Sequence, residues 1–186
     1  MDEEITDRMH AERILKKNGV EVTAKPPGEL LMQAARLAKL NIVKFFTETV
    51  SPSYKNKFED TPLHYAAMGG DSETIRHLLN WGNDPLALNL YGETALFYAA
   101  EEGHTQALEV LASYGGLQIQ DKFGETPLHF AAREGHLNAC VLLLEKAPEL
   151  LNVLNEEEKT PLSYALSQGH IDLARHLESL GGRIKT

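Results

Sequence analysis

A single cysteine, Cys140, stands in the whole chain, which excludes an internal disulfide framework and fits a reducing compartment. Long apolar runs are missing as well. A spanning helix needs roughly 18 such residues, whereas the longest obvious cluster is Val141-Leu142-Leu143-Leu144. The acidic start, Met1-Asp2-Glu3-Glu4, has no apolar segment behind it and does not read as a secretory signal. The cytoplasm is therefore the expected location, with the nucleus equally open. Sequence signatures of catalysis are also lacking: no Walker loop, no G-x-G-x-x-G, no G-x-S-x-G, no H-E-x-x-H and no C-x-x-C. No catalytic residue and no cofactor is expected.

Positive charge is scarce in one part of the chain. The 186 residues carry a formal charge of −9. Residues 1–60 hold 10 Lys/Arg and 10 Asp/Glu, whereas residues 61–186 hold 8 against 17. A net-acidic surface repels phosphate backbones and anionic membranes, so neither is expected as a direct partner. It steers a basic face toward itself. A 42% hydrophobic and 24% charged composition is that of an ordinary globular protein, which excludes disorder over most of the length.

What is present in abundance is repetition. Thr61-Pro62-Leu63-His64-Tyr65-Ala66-Ala67 recurs as Thr94-Ala95-Leu96-Phe97-Tyr98-Ala99-Ala100, as Thr126-Pro127-Leu128-His129-Phe130-Ala131-Ala132, and as Thr160-Pro161-Leu162-Ser163-Tyr164-Ala165-Leu166. The threonines lie 33, 32 and 34 residues apart. Glycine follows each Ala-Ala position by three (Gly70, Gly103, Gly135, Gly169), and in three copies a histidine comes next (His104, His136, His170). A weaker copy lies upstream, with Ala34-Ala35 in phase, Glu29-Leu30 in place of Thr-Pro and Ala38 in place of the glycine. The pattern resembles the ankyrin repeat family over about residues 27–186.

That resemblance implies an all-α solenoid of helix-turn-helix units with short β-hairpin turns between them. The expected organisation is an N-terminal helical cap over residues 1–26 and an ankyrin-repeat domain over 27–186, with repeats near 27–55, 56–88, 89–120, 121–154 and 155–186. Physical chemistry supports the same reading. Thr followed by Pro is an N-cap followed by a preorganised first helical residue. Two alanines then allow close approach by a neighbouring helix, and glycine ends the helix in the left-handed conformation. Second helices carry apolar faces: Ile75, Leu78 and Leu79; Leu108 and Leu111; Leu137, Cys140, Leu143 and Leu144. Val141 stands where other repeats have Lys44, Arg76, Glu109 and Arg175, so it is expected to face outward. In the cap, Ile14 and Leu15 are expected core positions. Glu178 replaces Leu79 and Leu144 of inner repeats, and Gly181 to Thr186 then reads as a C-terminus.

Eight histidines raise the question of metal. Rows spaced by one repeat lie about 10 Å apart, whereas ligands lie about 2 Å from one ion. No metal site is expected. The resemblance instead implies that His64 and His129 hydrogen-bond backbone. Gly69-Gly70 belongs to a repeat turn rather than a phosphate cradle, and Cys140 sits on an apolar helix face as a structural thiol.

The resemblance further implies binding through a concave surface lined by hairpin tips and first helices. At the tips, Phe58, Tyr91 and Phe123 fall in one register, followed by Glu157. Exposed aromatics flanked by charge have the composition of a hot spot, whereas the plain alternative is that the rings only stiffen neighbouring hairpins. Met68, Glu93, Glu101, Glu102, Glu125, Arg133 and Glu134 complete the expected surface. A second ladder, Tyr65, Tyr98, Phe130 and Tyr164, reads as packing. The expectation is a monomeric adaptor or scaffold binding a protein with a basic or mixed basic and apolar face. The alternative is an inhibitor masking a basic catalytic or nucleic-acid-binding face. An enzyme would need a convergent polar pocket, and a structural subunit would need an obligate assembly.

Overall fold

The computed structural model describes residue 5 and residues 7–185; Met1-Asp2-Glu3-Glu4 and Thr186 lie outside the described residues. Helix α1 (Arg8–Lys17) comes first, its N-terminus capped by Asp7, which accepts the His10 N–H at 2.8 Å. Five helix pairs follow: α2 (Pro27–Arg36) with α3 (Leu40–Thr47), α4 (Pro62–Gly69) with α5 (Ser72–Trp81), α6 (Ala95–Glu101) with α7 (Thr105–Ala112), α8 (Pro127–Arg133) with α9 (Leu137–Lys146), and α10 (Pro161–Ser167) with α11 (Ile171–Ser179). Thr61, Thr126 and Thr160 stand in extended backbone at the N-cap, with proline at the first helical residue. Thr94 caps α6 in the same conformation, followed by Ala95.

First helices α2, α4, α6, α8 and α10 stack as one layer, and α3, α5, α7 and α9 as a second. Helix α1 packs against α2, and a 3-10 turn at Pro148–Asn152 lies against α9 and α10. The alanine pairs explain the tight first layer: Ala66, Ala67, Ala99, Ala100, Ala131 and Ala132 have no exposed surface. Small side chains on both sides leave the helix backbones close, and stacking rather than any one repeat buries the apolar area. In the second layer Ile75, Leu78, Leu108, Leu111, Cys140, Leu143 and Leu144 are buried, as is Leu15 of α1.

One side chain departs from the expected faces. Leu137 is exposed because it is the first residue of α9, at the rim of the stack. Leu79 is half-buried and packs against the core, and Val141 is half-buried outside it.

The interhelical turn shows why glycine recurs. Gly103 has φ +69, and a Cβ there would meet Cγ of His136 at 2.6 Å. The His136 ring covers that glycine while its Nε2–H donates to the Glu101 carbonyl at 2.8 Å. His104 and His170 do the same to Met68 and Arg133, at 3.1 and 2.9 Å. Each ring thus ties the start of one second helix to the end of the preceding repeat's first helix. Ala38 holds the equivalent turn in the first pair, with φ 53.

Candidate protein-interaction site

Each hairpin tip is built on one side chain. Asn89 Oδ1 accepts the N–H groups of Tyr91 and Glu93 at 2.8 and 3.1 Å. Asn56, Asp121 and Asn155 hold their own tips in the same way. A local side-chain acceptor of this kind fixes a tight turn without help from a sheet. Within each tip two backbone bonds close the turn, such as Asn89 N–H to Glu93 O at 3.0 Å and Gly92 N–H to Asn89 O at 3.1 Å. One further bond joins each tip to the next: Leu90 N–H to Phe58 O at 2.8 Å, Lys122 N–H to Tyr91 O at 2.8 Å, and Glu156 N–H to Phe123 O at 2.9 Å. Such short pairings make no strand among the described residues. They nonetheless clip Phe58, Tyr91 and Phe123 into a fixed row.

The three rings face solvent, with exposures of 41%, 47% and 56%. Among the described residues none of them stacks on another; Phe58 is approached only by Lys57 Nζ, 4.9 Å from the ring centre. The second ladder is built differently. Tyr98 donates its O–H to Asp60 Oδ1 and accepts from Asn89 Nδ2, both at 3.1 Å. Tyr65 and Tyr164 accept from Asn56 and Asn155. Burial pushes the Tyr98 phenol up, and the neighbouring Asp60 adds to that. These hydroxyls belong to a hydrogen-bonded layer beneath the tips.

Between the tips of the third and fourth repeats the surface opens into a hollow of about 370 Å³. It brings together six expected residues: Tyr91, Glu93, Glu101, Phe123, Glu125 and Arg133. Arg133 Nη1 donates to Glu125 Oε2 at 2.9 Å, and its guanidinium carbon lies 4.3 Å from the Phe130 ring centre. Glu125 is buried and also accepts from Asn155 Nδ2 at 3.2 Å and from the Tyr164 hydroxyl. Burial holds the Glu101 carboxyl above its usual range, partly offset by Arg133. Glu93 is raised too, by burial first, against the Asn89 hydrogen bond that lowers it.

The remaining expected residues lie elsewhere. Phe58 sits one tip further along. Met68 and Glu102 line a separate hollow of about 540 Å³ beside Gln33 and Arg36 of α2. Glu134 is exposed, 3.7 Å from Arg133 Nε. Three residues of the hollow escaped the expected surface: Tyr98, Asp121 and Phe130. Two of them stand out in the sequence as register breaks, Asp121 among Asn56, Asn89 and Asn155, and Phe130 among three tyrosines, whereas Tyr98 keeps its register.

Other candidate groups serve the stack. Thr61 N–H donates to His64 Nδ1 at 3.1 Å, so the opposite ring nitrogen carries the proton and donates to Glu93 O at 3.1 Å. His129 repeats this between Thr126 N–H and the Val153 and Lys159 carbonyls. Burial pushes the Cys140 thiol up to about 12, so it is not a thiolate near neutral pH.

A stack of helix pairs with projecting tips and tethering histidines defines a repeat protein. The family described as "Ankyrin repeats (3 copies)" matches residues 31–122 and 115–185, and the chain belongs to the ankyrin-repeat family. The chain is 37% identical over 124 residues to cyclin-dependent kinase 4 inhibitor B of Rattus norvegicus, covering 66% of this chain and 95% of that protein. It is 29% identical over 134 residues to the B-cell lymphoma 3 protein homolog of Mus musculus, covering 69% of this chain and 30% of that protein. Human SH3 and multiple ankyrin repeat domains protein 2 is 28% identical over 180 residues, 95% of this chain and 10% of that protein. By family the chain is a protein-interaction module. No helix among the described residues is long and apolar enough to cross a membrane.

Proposed function

We propose that the chain acts as an adaptor that binds another protein through the acidic, aromatic-lined groove of its second to fourth repeats. One observation carries this reading: Phe58, Tyr91 and Phe123 are exposed, yet their backbones are clipped together by tip-to-tip hydrogen bonds. Rigid aromatic anchors bind at low entropic cost. The carboxylates beside them attract a basic or mixed basic and apolar partner face, which sets association rate more than residence time. The molecule acts as a monomer in this reading, without cofactor, in the cytoplasm or nucleus.

The test compares wild-type protein with Tyr91→Ala and Glu101→Gln/Glu102→Gln in affinity capture from cell extract, followed by surface plasmon resonance on the captured protein. Tyr91→Ala should speed dissociation and cost on the order of 2 kcal/mol, because central aromatics dominate interfaces. The glutamine pair should slow association, with an effect that fades in high salt. Unchanged dissociation with a lowered melting temperature for Tyr91→Ala would assign the row to packing and sink the proposal.

A second reading has a specific observation behind it. The rat relative's name makes that protein an inhibitor of cyclin-dependent kinase 4, and the alignment covers nearly all of it. On that basis the chain is an inhibitor that covers a functional face of its target, a kinase being the first class to assay. Loss of target activity on binding separates inhibitor from adaptor.

A further inference from the structure

Successive tips are joined below the surface by an amide. Asn89 Nδ2 donates to Asp60 Oδ1 of the preceding tip at 3.0 Å, to Glu93 Oε2 at 2.9 Å and to the Tyr98 hydroxyl. Asn155 Nδ2 likewise donates to Glu125 Oε1 and to the Tyr164 hydroxyl. Between the tips of the third and fourth repeats, at Asn89 and Asp121, this device is missing. Asp121 occupies the amide's register, so an acceptor stands where the other tips present a donor. Phe130 occupies the tyrosine's register, so the hydroxyl is missing too.

The consequence is visible at one atom. Asp121 Oδ1 is used by the Phe123 and Glu125 N–H groups, at 2.9 and 2.8 Å. Asp121 Oδ2 is buried and has no hydrogen-bond partner, in a residue only 7% exposed that lines the hollow. A buried acceptor left unmade is costly, and native structures rarely tolerate one without a reason. The charge around it is unbalanced as well. Glu93, Glu101, Asp121 and Glu125 line the hollow against Arg133 alone, and Arg133 is already committed to Glu125. Burial raises the Asp121 carboxyl above its usual range, against the Glu125 and Phe123 N–H bonds that lower it, and the Glu125 carboxylate adds to the rise while Arg133 opposes it.

We infer that the hollow between the tips of the third and fourth repeats receives a single lysine side chain of the bound partner, its methylenes passing between Tyr91 and Phe123 and its ammonium lying over Glu93, Glu101 and Asp121. This deepens the proposed groove and rests on that reading. Lysine fits better than arginine because three carboxylates lining one hollow match a compact three-donor ammonium. A planar guanidinium fork matches one carboxylate face, the arrangement Arg133 and Glu125 have already taken. The exposed rings at the rim supply an apolar and cation-attracting entrance.

The experiment titrates the whole protein with capped Ala-Lys-Ala, with its arginine and norleucine counterparts, and with calcium chloride, following backbone amide resonances by NMR. The lysine peptide should shift Glu93, Glu101, Asp121 and Phe123 saturably, several-fold more tightly than the arginine peptide, and norleucine and calcium should not. Asp121→Asn, which restores the amide of the other tips, should raise the melting temperature and weaken the lysine peptide at least tenfold. Glu93→Gln should also weaken it. Equal binding of norleucine, arginine or calcium would overturn the lysine assignment, as would a protonated Asp121 at pH 7 or an Asp121→Asn variant of unchanged affinity. Failure here is separable from failure of the groove. If captured protein depends on Tyr91 but is indifferent to Asp121, the groove stands and the lysine pocket falls. A titrating lysine peptide with capture indifferent to Tyr91 leaves the pocket and removes the groove.

Discussion

At the scale of single residues, the turn positions carry the clearest energetic statement. Ala38 adopts φ 53 where the four later repeats use glycine with φ between 69 and 80. An L-residue in that region is strained by about 1–2 kcal/mol, and glycine is not. The side chain of Ala38 is exposed, so its removal forfeits no packing. Ala38→Gly should therefore stabilise the protein by about 0.5–1 kcal/mol, the strain relieved less the extra freedom of glycine in the unfolded chain. Chemical denaturation with an unchanged slope checks it; a loss of stability would mean that the first turn does not need the left-handed geometry. The same reasoning makes Gly103 intolerant of alanine, since the His136 ring occupies the space a Cβ would need. No sequence scan distinguishes a tolerated alanine at Ala38 from a forbidden one at Gly103. The difference is a ring, one repeat further on, that covers the second turn.

Among the helices, stability lies in the contact between neighbours. Leu143 of α9 has no exposed surface and stands in the second layer with Leu108 and Leu111 of α7. Leu143→Ala should cost about 2–5 kcal/mol through lost burial and the cavity left between repeats. Leu137→Ala on the same helix should cost less than about 0.5 kcal/mol, because that side chain already faces water. Thermal or denaturant unfolding of the pair measures the contrast; equal effects would contradict the observed phase of α9. Helical spacing alone put Leu137 and Leu143 on one face. It could not show that the first residue of a helix lies beyond the edge of its neighbour.

For the molecule as a whole, stability should depend on pH through the two buried ring bridges. His64 and His129 each accept a backbone N–H at Nδ1, which requires the neutral ring. Burial depresses both below the ordinary 6.5. The unfolded chain then takes up protons that the folded chain refuses, so stability is full above about pH 6.5 and is lost as pH falls below it. Each ring sets a slope of at most about 1.4 kcal/mol per pH unit until its own lowered value is reached. Glu93, Glu101 and Asp121, raised by burial, act with the opposite sign and soften the decline at more acidic pH. Melting temperature should therefore fall between pH 6.5 and 5.5, and the double variant His64→Gln/His129→Gln should flatten that fall. A melting temperature independent of pH across this window would contradict the bridges.

The architecture was legible because it is periodic. Thr-Pro starts, alanine pairs and turn glycines are local instructions, and their recurrence every 32 to 34 residues leaves little choice but a stack. Local chemistry also placed the tip aromatics in one register. What the chain order does not contain is which groups meet across repeats. Asp60 reaches Asn89 and Tyr98, Glu125 reaches Asn155 and Tyr164, and each partner lies some 29 to 39 residues away. Asp121 looks like one more polar turn residue until those contacts show the donor that is missing beside it. Helix starts and turns depend on neighbours in sequence, so the sequence by itself determined them. The satisfaction of a buried polar atom depends on neighbours in space, and only the stacked structure decided it.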